Sequence, residues 1–268
     1  MTGAIATAGQ NENLPISVDE IVAAGLESWR AGAAMLHIHA REEDGEPTQR
    51  IERFRPIVDG LRAGGCEAIV NLSTGSAGGR AAGPIRYECL ELRPEMGSFD
   101  CGSVNFGERV FENPMPFLRD MAQAFLDTGV KPEIECFEAG HIENALALRA
   151  EGLLSDPLHF QLVLGLKGGS PATMAHVTFL RSLIPDGATW GVCGIGRQQL
   201  PMNLLSIVSD GHTRTGMEDN VLYSRGVPVQ SNAQLVERVV RLATEAGRSV
   251  ATPDQARGLL SLSPVQSG

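Results

Sequence analysis

Two histidines separated by one residue are the most informative chemical feature of this sequence. Side chains alternate across a β-strand with a period of two, so His37 and His39 point to the same face of a strand. The apolar run 33–36 precedes them and Ala40-Arg41-Glu42 follows, which predicts that they lie at a strand terminus. Two imidazoles that converge there form half of a zinc site, and the alternative is that one or both are ordinary core or surface histidines.

A third metal ligand must come from the end of another strand. The segment 211–220 offers three candidates, which are His212, Glu218 and Asp219. Glu218 follows a strand-like stretch and a glycine, where a side chain can turn into the mouth of a site. The alternative for Glu218 and Asp219 is a solvated helix start, because acidic side chains favour the N-terminal end of a helix dipole.

Another carboxylate is predicted to point toward the interior of the protein. In the stretch 133–138, alternation puts Glu133, Glu135 and Phe137 on one face of a strand. The apolar Ile134 and Cys136 suit contact with helices, so we expect Glu135 to point the opposite way, into the interior. A buried carboxylate requires a cation, a metal ion or a proton, and a pair with an internal arginine is the alternative to a functional role.

A glycine-rich loop is a candidate for binding an anionic group. The segment Asn71-Leu72-Ser73-Thr74-Gly75-Ser76-Ala77-Gly78-Gly79 runs from an apolar strand into this loop. Backbone N–H groups in such loops can bind carboxylate or phosphate oxygens. A plain surface loop is the alternative, because glycine content alone does not distinguish the two.

These side chains must be positioned by an alternating arrangement of strands and helices, which predicts βαβ units and a parallel sheet. Because useful polar side chains follow many different strands, a single ligand reached by all of them requires a ring of strands. We therefore predict one (β/α)8 barrel over residues 1–268, with its active site at the C-terminal ends of the strands. The predicted strands are 35–40, 68–72, 96–99, 134–137, 159–164, 189–193 and 212–215, and the predicted helices are 18–30, 114–128, 144–152, 171–183, 200–208 and 232–246.

The strand count falls short of a complete barrel. Seven strands are predicted, and a first strand is expected before the helix that begins at Val18. Only residues 1–6 are available for it, and this stretch is too short for a full strand. The sequence therefore predicts a barrel whose first strand is truncated or missing.

Composition excludes several classes of function. With 22 Lys and Arg against 32 Asp and Glu, the net charge of -10 argues against a nonspecific nucleic-acid partner. No apolar run approaches the roughly 20 residues of a membrane span, and residues 1–13 lack the features of a signal peptide. An odd set of scattered cysteines without C-x-x-C is typical of reduced thiols, so we expect a cytoplasmic protein. The five cysteines are Cys66, Cys89, Cys101, Cys136 and Cys193.

At this point a set of short segments, in order along almost the whole chain, resembles the β-keto acid cleavage enzyme family. Any one of these segments is weak, but their order and spacing together are specific. They are Leu14-Pro15-Ile16-Ser17, His37-Ile38-His39-Ala40-Arg41, Asn71-Leu72-Ser73-Thr74-Gly75, Arg93-Pro94-Glu95-Met96, Asn105-Phe106-Gly107, Phe160-Gln161-Leu162-Val163-Leu164-Gly165, Gly194-Ile195-Gly196-Arg197, Gly216-Met217-Glu218-Asp219-Asn220 and Ser231-Asn232-Ala233-Gln234-Leu235-Val236.

The resemblance implies a zinc-dependent (β/α)8 barrel that assembles as a homotetramer. It implies a reaction in which a β-keto acid and acetyl-CoA give acetoacetate and a new acyl-CoA. The family's zinc ligands correspond to His37, His39 and Glu218, and its catalytic Arg–Asp pair corresponds to Arg214 and Asp219. Zinc would act as a Lewis acid on the keto oxygen, and Asp219 would be a positioned general base.

The resemblance also implies where the substrate binds. Contacts to its carboxylate correspond to Ser73, the backbone at Ser76, and Ser98, whereas Glu135 corresponds to a carboxylate that can receive a substrate ammonium.

Two departures from the family pattern bear on the substrate. Ile5 stands where an aminated substrate would require a second acid, and Asp100 stands where the family often has an amide. We therefore expect a β-keto acid with one cationic or hydrogen-bond-donating distal group. The competing hypotheses are a metal-dependent hydrolase or aldolase-type lyase on the same barrel without CoA, and a barrel that only binds ligands.

Overall fold

The computed structural model describes residues 1–76, 79 and 81–262, and its centre is a curled parallel sheet. The seven strands follow one another across the sheet in the order of the chain, so every connection crosses over in the same direction. Parallel neighbours require such crossovers, which helices supply. The strands are β1 (Met35–Ile38), β2 (Ile69–Leu72), β3 (Met96–Asp100), β4 (Lys131–Cys136), β5 (His159–Leu164), β6 (Thr189–Gly194) and β7 (His212–Thr213).

All seven predicted strands are confirmed, with shifts at their ends. β4 begins at Lys131, three residues before the predicted start, and these three additional residues pair with β3. β7 is shorter than predicted and pairs with β6 only over His212 and Thr213. The candidate site residues therefore lie at the C-terminal ends of these strands or in the segments directly after them.

Helices cover the outer face of the sheet and differ more from the predictions. Residues 139–143 belong to α4, which begins earlier than predicted, and two helices were not predicted. One of them, α2, lacks a side-chain N-cap and contains Pro56, which obscures a helical pattern. The helices are α1 (Val18–Arg30), α2 (Ile51–Ala63), α3 (Met115–Thr128), α4 (Ala139–Ala150), α5 (Met174–Leu183), α6 (Gln199–Val208), α7 (Asn232–Glu245) and α8 (Pro253–Leu260).

The other helix that was not predicted, α8, has a clear start signal in the sequence. The Thr252 side chain accepts from the Gln255 N–H, and the Gln255 side chain accepts from the Thr252 N–H. Pro253 occupies the first helical position, where its fixed φ fits. The same reciprocal capping by Ser17 and Glu20 begins α1, whose predicted bounds are confirmed.

Three two-stranded hairpins stand at the end of the sheet where the strands finish. They consist of Ala40–Arg41 with Pro47–Thr48, Val104–Phe106 with Arg109–Phe111, and Leu222–Ser224 with Val227–Pro228. The first follows β1, the second follows β3 and the third follows β7. They therefore form a rim around the C-terminal ends of the strands.

The main core lies between the sheet and its helices. Phe99 on β3 packs edge to face against Phe125 on α3, with ring centroids 5.7 Å apart, and both side chains are buried. Ile134 and Phe160 extend this core along β4 and β5. Because each fully buried side chain of this size contributes about 1.5–3 kcal/mol, the strands are held firmly beneath the rim.

A gap separates the two outer strands of the sheet. Among the described residues, no strand pairs with the free edge of β1 or of β7. Residues 1–6 form no strand, and the Met1 ammonium donates to the His37 carbonyl at 3.0 Å. A cavity of about 280 Å³ lies here, lined in part by Met1, His37 and Thr213. The structure thus has seven strands of the predicted eight-stranded barrel.

The segment before α1 is held to the rim by one buried arginine. The Arg41 guanidinium donates to the Thr2 hydroxyl at 2.7 Å, the Gly3 carbonyl at 2.7 Å and the Ala6 carbonyl at 2.7 Å. It also donates to the Gly45 carbonyl within its own hairpin, at 2.8 Å.

Within the described ranges, no helix is long and apolar enough to cross a membrane.

We predict that Arg41→Ala lowers the free energy of unfolding by about 3 kcal/mol or more, because several buried acceptors lose a charged donor at once. Urea denaturation measures the effect. The matched control is Arg119→Ala, which removes a half-exposed bidentate pair with Glu151 and costs less than about 1 kcal/mol. Equal effects of the two substitutions would contradict this account of Arg41.

Candidate active site

A cavity of about 770 Å³ opens at the C-terminal ends of the strands, as predicted. Its floor contains His39, Glu135, Arg214 and Asp219, which come from β4 and from the segments after β1 and β7. Apolar side chains form much of the wall above this floor. They include Phe106, Phe111, Val163, Leu166 and Ile195. The cavity therefore combines a charged floor with an apolar wall, which suits a small substrate with one reactive polar end.

The three predicted metal ligands meet at one point. The Nε2 atoms of His37 and His39 lie 3.1 Å apart, and Glu218 Oε1 lies 3.0 Å from His39 Nε2 and 3.5 Å from His37 Nε2. Bonds of about 2.0–2.1 Å in tetrahedral directions put ligand atoms about 3.3 Å apart, which these separations bracket. A proton bridges only two of the three atoms, whereas a cation satisfies all of them. The residues present therefore fit a metal ion.

The other two candidates for the third ligand lie elsewhere. The His212 ring packs edge to face against the His159 ring, with centroids 6.1 Å apart, near the start of the sheet. Asp219 turns toward Arg214 and accepts from its Nη2 at 3.0 Å. Of the three acids and imidazoles offered by this segment, Glu218 is thus the one beside the two histidines.

Arg214 joins three carboxylates across the floor. Its Nη1 donates to Glu135 Oε1 at 2.6 Å, and its Nη2 donates to Glu218 Oε1 at 2.6 Å and to Asp219 Oδ1 at 3.0 Å. Glu135 points into the interior, as predicted, and its partner is the internal arginine that we considered as the alternative. The Arg–Asp pair implied by the resemblance is in direct contact, so the geometry leaves Asp219 fixed beside the ligand triad.

The acid and base properties of the triad follow from this crowding. Burial favours neutral Glu218, but the Arg214 guanidinium and the imidazoles of His39 and His37 outweigh it and hold the Glu218 pKa well below its ordinary value. Burial and Arg214 lower the pKa of His37, but the Glu218 and Glu133 carboxylates outweigh both and raise it to about 9. Burial lowers the pKa of His39. In the metal-free protein, His37 therefore carries the proton.

The protonation of His37 also affects stability. Because its pKa in the folded protein lies above the ordinary 6.5, its contribution to the free energy of unfolding is fully present below pH 6.5. That contribution is lost as the pH rises through about 9.

The predicted substrate-contact residues lie on β3 and in the loop after β2. The Ser73 hydroxyl accepts from the Gly75 N–H at 3.1 Å, and the Ser98 hydroxyl accepts from the Thr74 N–H at 3.1 Å. Ser73 and Ser76 line the cavity, whereas Ser98 is buried directly beneath the loop. Of the loop segment 71–79, Ala77 and Gly78 lie outside the described residues. The two hydroxyls shape the loop and still have an O–H to donate.

Two residues near the ligands had no assigned role in the sequence reasoning. Glu133 lies on β4 two residues before Glu135, and its Oε2 is 3.5 Å from His37 Nδ1. The Asn71 side chain donates to the same Glu133 oxygen at 2.6 Å. The period-two spacing between Glu133 and Glu135 indicates that both side chains share one face of the strand. The position of Asn71 near the end of β2 indicates that its side chain also lies close to the site.

The two departures from the family pattern lie at opposite depths. Ile5 is 54% exposed on the rim of the cavity, and Asp100 is buried at the end of β3, in register with Glu135. The Arg86 guanidinium lies beside Asp100, with Nη2 3.9 Å from Oδ2. The cavity thus has two inward carboxylates side by side on adjacent strands.

Together, the parallel sheet and the convergent imidazole–carboxylate triad at its strand ends define an α/β protein with residues that could hold a metal ion in its cavity. The model of the β-keto acid cleavage enzyme family matches residues 1–262, and this chain belongs to that family.

Relatives in the same family show what similar chains do. The chain is 42% identical over 261 residues to 3-keto-5-aminohexanoate cleavage enzyme from Fusobacterium nucleatum subsp. nucleatum, covering 97% of this chain and 95% of the relative. It is 39% identical over 270 residues to 3-oxoadipate:acetyl-CoA acetyltransferase from Cupriavidus necator, covering 99% and 94%. The apo structure of ObcA is similar in fold alone, with a TM-score of 0.80 at 21% identity over 93% of this chain and 66% of that chain.

We predict that zinc binding to the metal-free protein at about pH 7.5 releases about one proton, because a ligated imidazole must be neutral. The proton comes from His37, whose pKa is about 9. Calorimetric titration in two buffers of different ionisation enthalpy measures the release. The apparent Kd should fall about tenfold per pH unit until the pH reaches the His37 pKa. An enthalpy independent of the buffer would show that His37 is already neutral.

Proposed function

We propose that this protein is a zinc-dependent β-keto acid cleavage enzyme that converts a β-keto acid and acetyl-CoA into acetoacetate and a new acyl-CoA. The observation that carries the proposal is the convergence of His37, His39 and Glu218 beside the Arg214–Asp219 pair in one cavity. The name of the Cupriavidus relative includes acetyl-CoA acetyl transfer, which supports the cosubstrate.

Three protein ligands with open positions are typical of a catalytic zinc. His37, His39 and Glu218 would hold the ion, and their two nitrogens and one oxygen match the ligands that zinc takes. When bound, zinc supplies Lewis acidity toward the keto oxygen of the substrate.

Asp219 is the proposed general base. Its side chain is 2% exposed and is held by two hydrogen bonds from Arg214, with Nη2 to Oδ1 at 3.0 Å and Nε to Oδ2 at 3.3 Å. This bidentate contact fixes the direction of the carboxylate and leaves lone pairs toward the cavity. Asp219 would take the acidic proton between the keto and carboxylate groups of the substrate, and its burial keeps water from competing for that position.

The substrate carboxylate is proposed to bind at the loop after β2. The Ser73 and Ser98 hydroxyls each accept one backbone hydrogen bond, so each retains an O–H that can donate to a carboxylate. The backbone N–H of Ser76, which lines the same cavity, is the third proposed donor.

Glu135 is proposed to contact the distal end of the substrate. Arg214 already neutralises part of its charge through the 2.6 Å contact, so a second cation is not required to bury it. Ile5 provides no second carboxylate at the rim. We propose a substrate with one cationic or hydrogen-bond-donating distal group, which would lie beside Glu135 and the adjacent Asp100 and would meet no further acid at Ile5.

The assembly and the complete fold are also proposals. We propose one catalytic domain over residues 1–268. We further propose that its sheet becomes a closed eight-stranded barrel when an extended segment pairs with β1 and β7 across the gap between them. We propose a homotetramer, and the exposed apolar side chains of Met174, Phe179 and Val208 support an interface on α5 and α6. Five free thiols support a reducing, cytoplasmic environment.

The direct test of the proposed function is a panel of β-keto acids supplied with acetyl-CoA, in which acetoacetate and acyl-CoA formation are measured together. We expect acetoacetate only when acetyl-CoA is present, with the highest kcat/KM for acids that carry a distal ammonium or hydroxyl. Substrate consumption without acetyl-CoA would favour the hydrolase or aldolase-type lyase. No turnover of any member, with substrate binding retained, would favour a barrel that only binds ligands.

We predict that Asp219→Asn lowers kcat by about 10²–10⁴, because the amide keeps the shape of the side chain and cannot accept the proton. The zinc content of the variant should equal that of the wild type, since Asp219 lies outside the ligand triad. Asp254→Asn, whose side chain is 95% exposed on α8, is the matched control and should leave kcat unchanged. An active Asp219→Asn enzyme would mean that another group takes the proton.

A further inference from the structure

A buried carboxylate that the proposed mechanism does not use lies directly behind one metal ligand. Glu133 on β4 is 3% exposed and its side chain points into the concave side of the sheet. Its Oε2 lies 3.5 Å from Nδ1 of His37, and Asn71 donates to the same oxygen at 2.6 Å. The three residues form a line from β2 through β4 to the end of β1.

The two ring nitrogens of His37 have different surroundings. Nε2 faces His39 and Glu218, at 3.1 and 3.5 Å. Nδ1 is buried, and in the described part of the chain it makes no close hydrogen bond. The Glu133 carboxylate faces Nδ1 at 3.5 Å and is therefore placed to accept its hydrogen after a small shift. A neutral imidazole binds a metal through one nitrogen only when the other carries the hydrogen, so the partner of Nδ1 decides whether Nε2 is free.

We propose that Glu133 is a positioning residue that receives the Nδ1–H of His37 and thereby directs the Nε2 lone pair toward the metal position. The proposal rests on the metal site of the proposed function. Asn71 holds Glu133 in place, and a carboxylate is a stronger acceptor than an amide. A carboxylate behind a ligating imidazole also increases the basicity of that imidazole.

A second arrangement of the same residues is less compatible with the contacts. His37, Glu133 and Glu135 also lie within 4.8 Å of one another and could hold a cation themselves. Asn71 directs an N–H at Glu133, and Arg214 directs an N–H at Glu135 from 2.6 Å. Both carboxylates of this set therefore already accept a short hydrogen bond, whereas in the set His37, His39 and Glu218 the donor from Arg214 meets one ligand of the three.

The test measures the zinc Kd of the full chain by competition with a chelator. Glu133→Gln should weaken zinc binding about 10- to 100-fold, the range for loss of such a partner. Asn71→Leu should weaken it less, because Glu133 keeps its charge and loses only its anchor. Glu52→Gln is the matched control: it removes the same charge from a side chain that is 67% exposed on α2, and it should leave the Kd unchanged.

A spectroscopic measurement separates positioning from a general loss of structure. In the zinc-loaded wild type, ¹⁵N NMR of the histidine rings should show a hydrogen on Nδ1 of His37, and its resonance should shift in Glu133→Gln. If Glu133→Gln does not fold, the zinc Kd and the His37 ¹⁵N resonance are measured in Asn71→Leu instead. A raised Kd together with a shifted resonance supports the proposal, and no change in either one overturns it.

Each result supports or overturns the proposal. An unchanged Kd in Glu133→Gln overturns it, and so does an equal loss in Glu52→Gln, which would indicate a general effect of charge. If the wild type binds no zinc, both this proposal and the proposed function are wrong. If zinc binds with the predicted pattern of Kd values but no acyl transfer occurs, only the proposed function is wrong.

Discussion

The structure depends on the buried ion-pair network around Arg214. One guanidinium contacts carboxylates at the end of β4 and in the segment after β7, and one of these carboxylates also contacts the histidines that end β1. Buried carboxylates are costly unless they are paired, so loss of the cation would leave Glu135, Glu218 and Asp219 without their main compensation. The network therefore links the two outer strands across the concave side of the sheet, where no backbone pairing among the described residues joins them.

The scaffold under this network is made almost entirely of hydrophobic contacts. Parallel strands bring all their carboxyl ends to one edge, so a side chain that follows any strand reaches the same space. The aromatic and aliphatic core between the sheet and the helices holds that edge in place, and the hairpins after β1, β3 and β7 raise walls around it. Arg41 then fastens residues 2–6 to the rim through its guanidinium. The charged side chains of the candidate site are thereby gathered at one end of the sheet.

The position between His37, His39 and Glu218 can be occupied either by a proton or by a metal cation, and each of them compensates the negative charge of the nearby carboxylates. His37, His39 and Glu218 crowd their acceptor atoms within 3.5 Å, which raises the affinity of His37 for a proton in the metal-free protein. A metal ion would replace that proton and neutralise more of the surrounding negative charge. Glu133 contacts the opposite side of the His37 ring, so it can stabilise the ring in either state.

Local pattern was enough to predict most of the framework of this protein. Alternation and apolar runs located all seven strands, because the period of a strand is a property of neighbouring residues. The H-x-H spacing placed two imidazoles on one face for the same reason. Two helices were not predicted. In α2 the internal Pro56 argues against a helix, and in α8 the capping box at its start was the signal that identifies a helix.

Only the tertiary structure decided which distant groups meet. From the residues alone, three side chains in 211–220 were candidates for the third ligand, and Glu135 had either a functional partner or an arginine. Contact between Arg214 and Glu135 joins positions 79 residues apart, and contact between His39 and Glu218 joins positions 179 residues apart. Such contacts depend on the curl of the sheet and on the packing that fixes it. The sequence by itself therefore determined which candidate residues lie at the strand ends, and the curl of the sheet decided which of them contact one another.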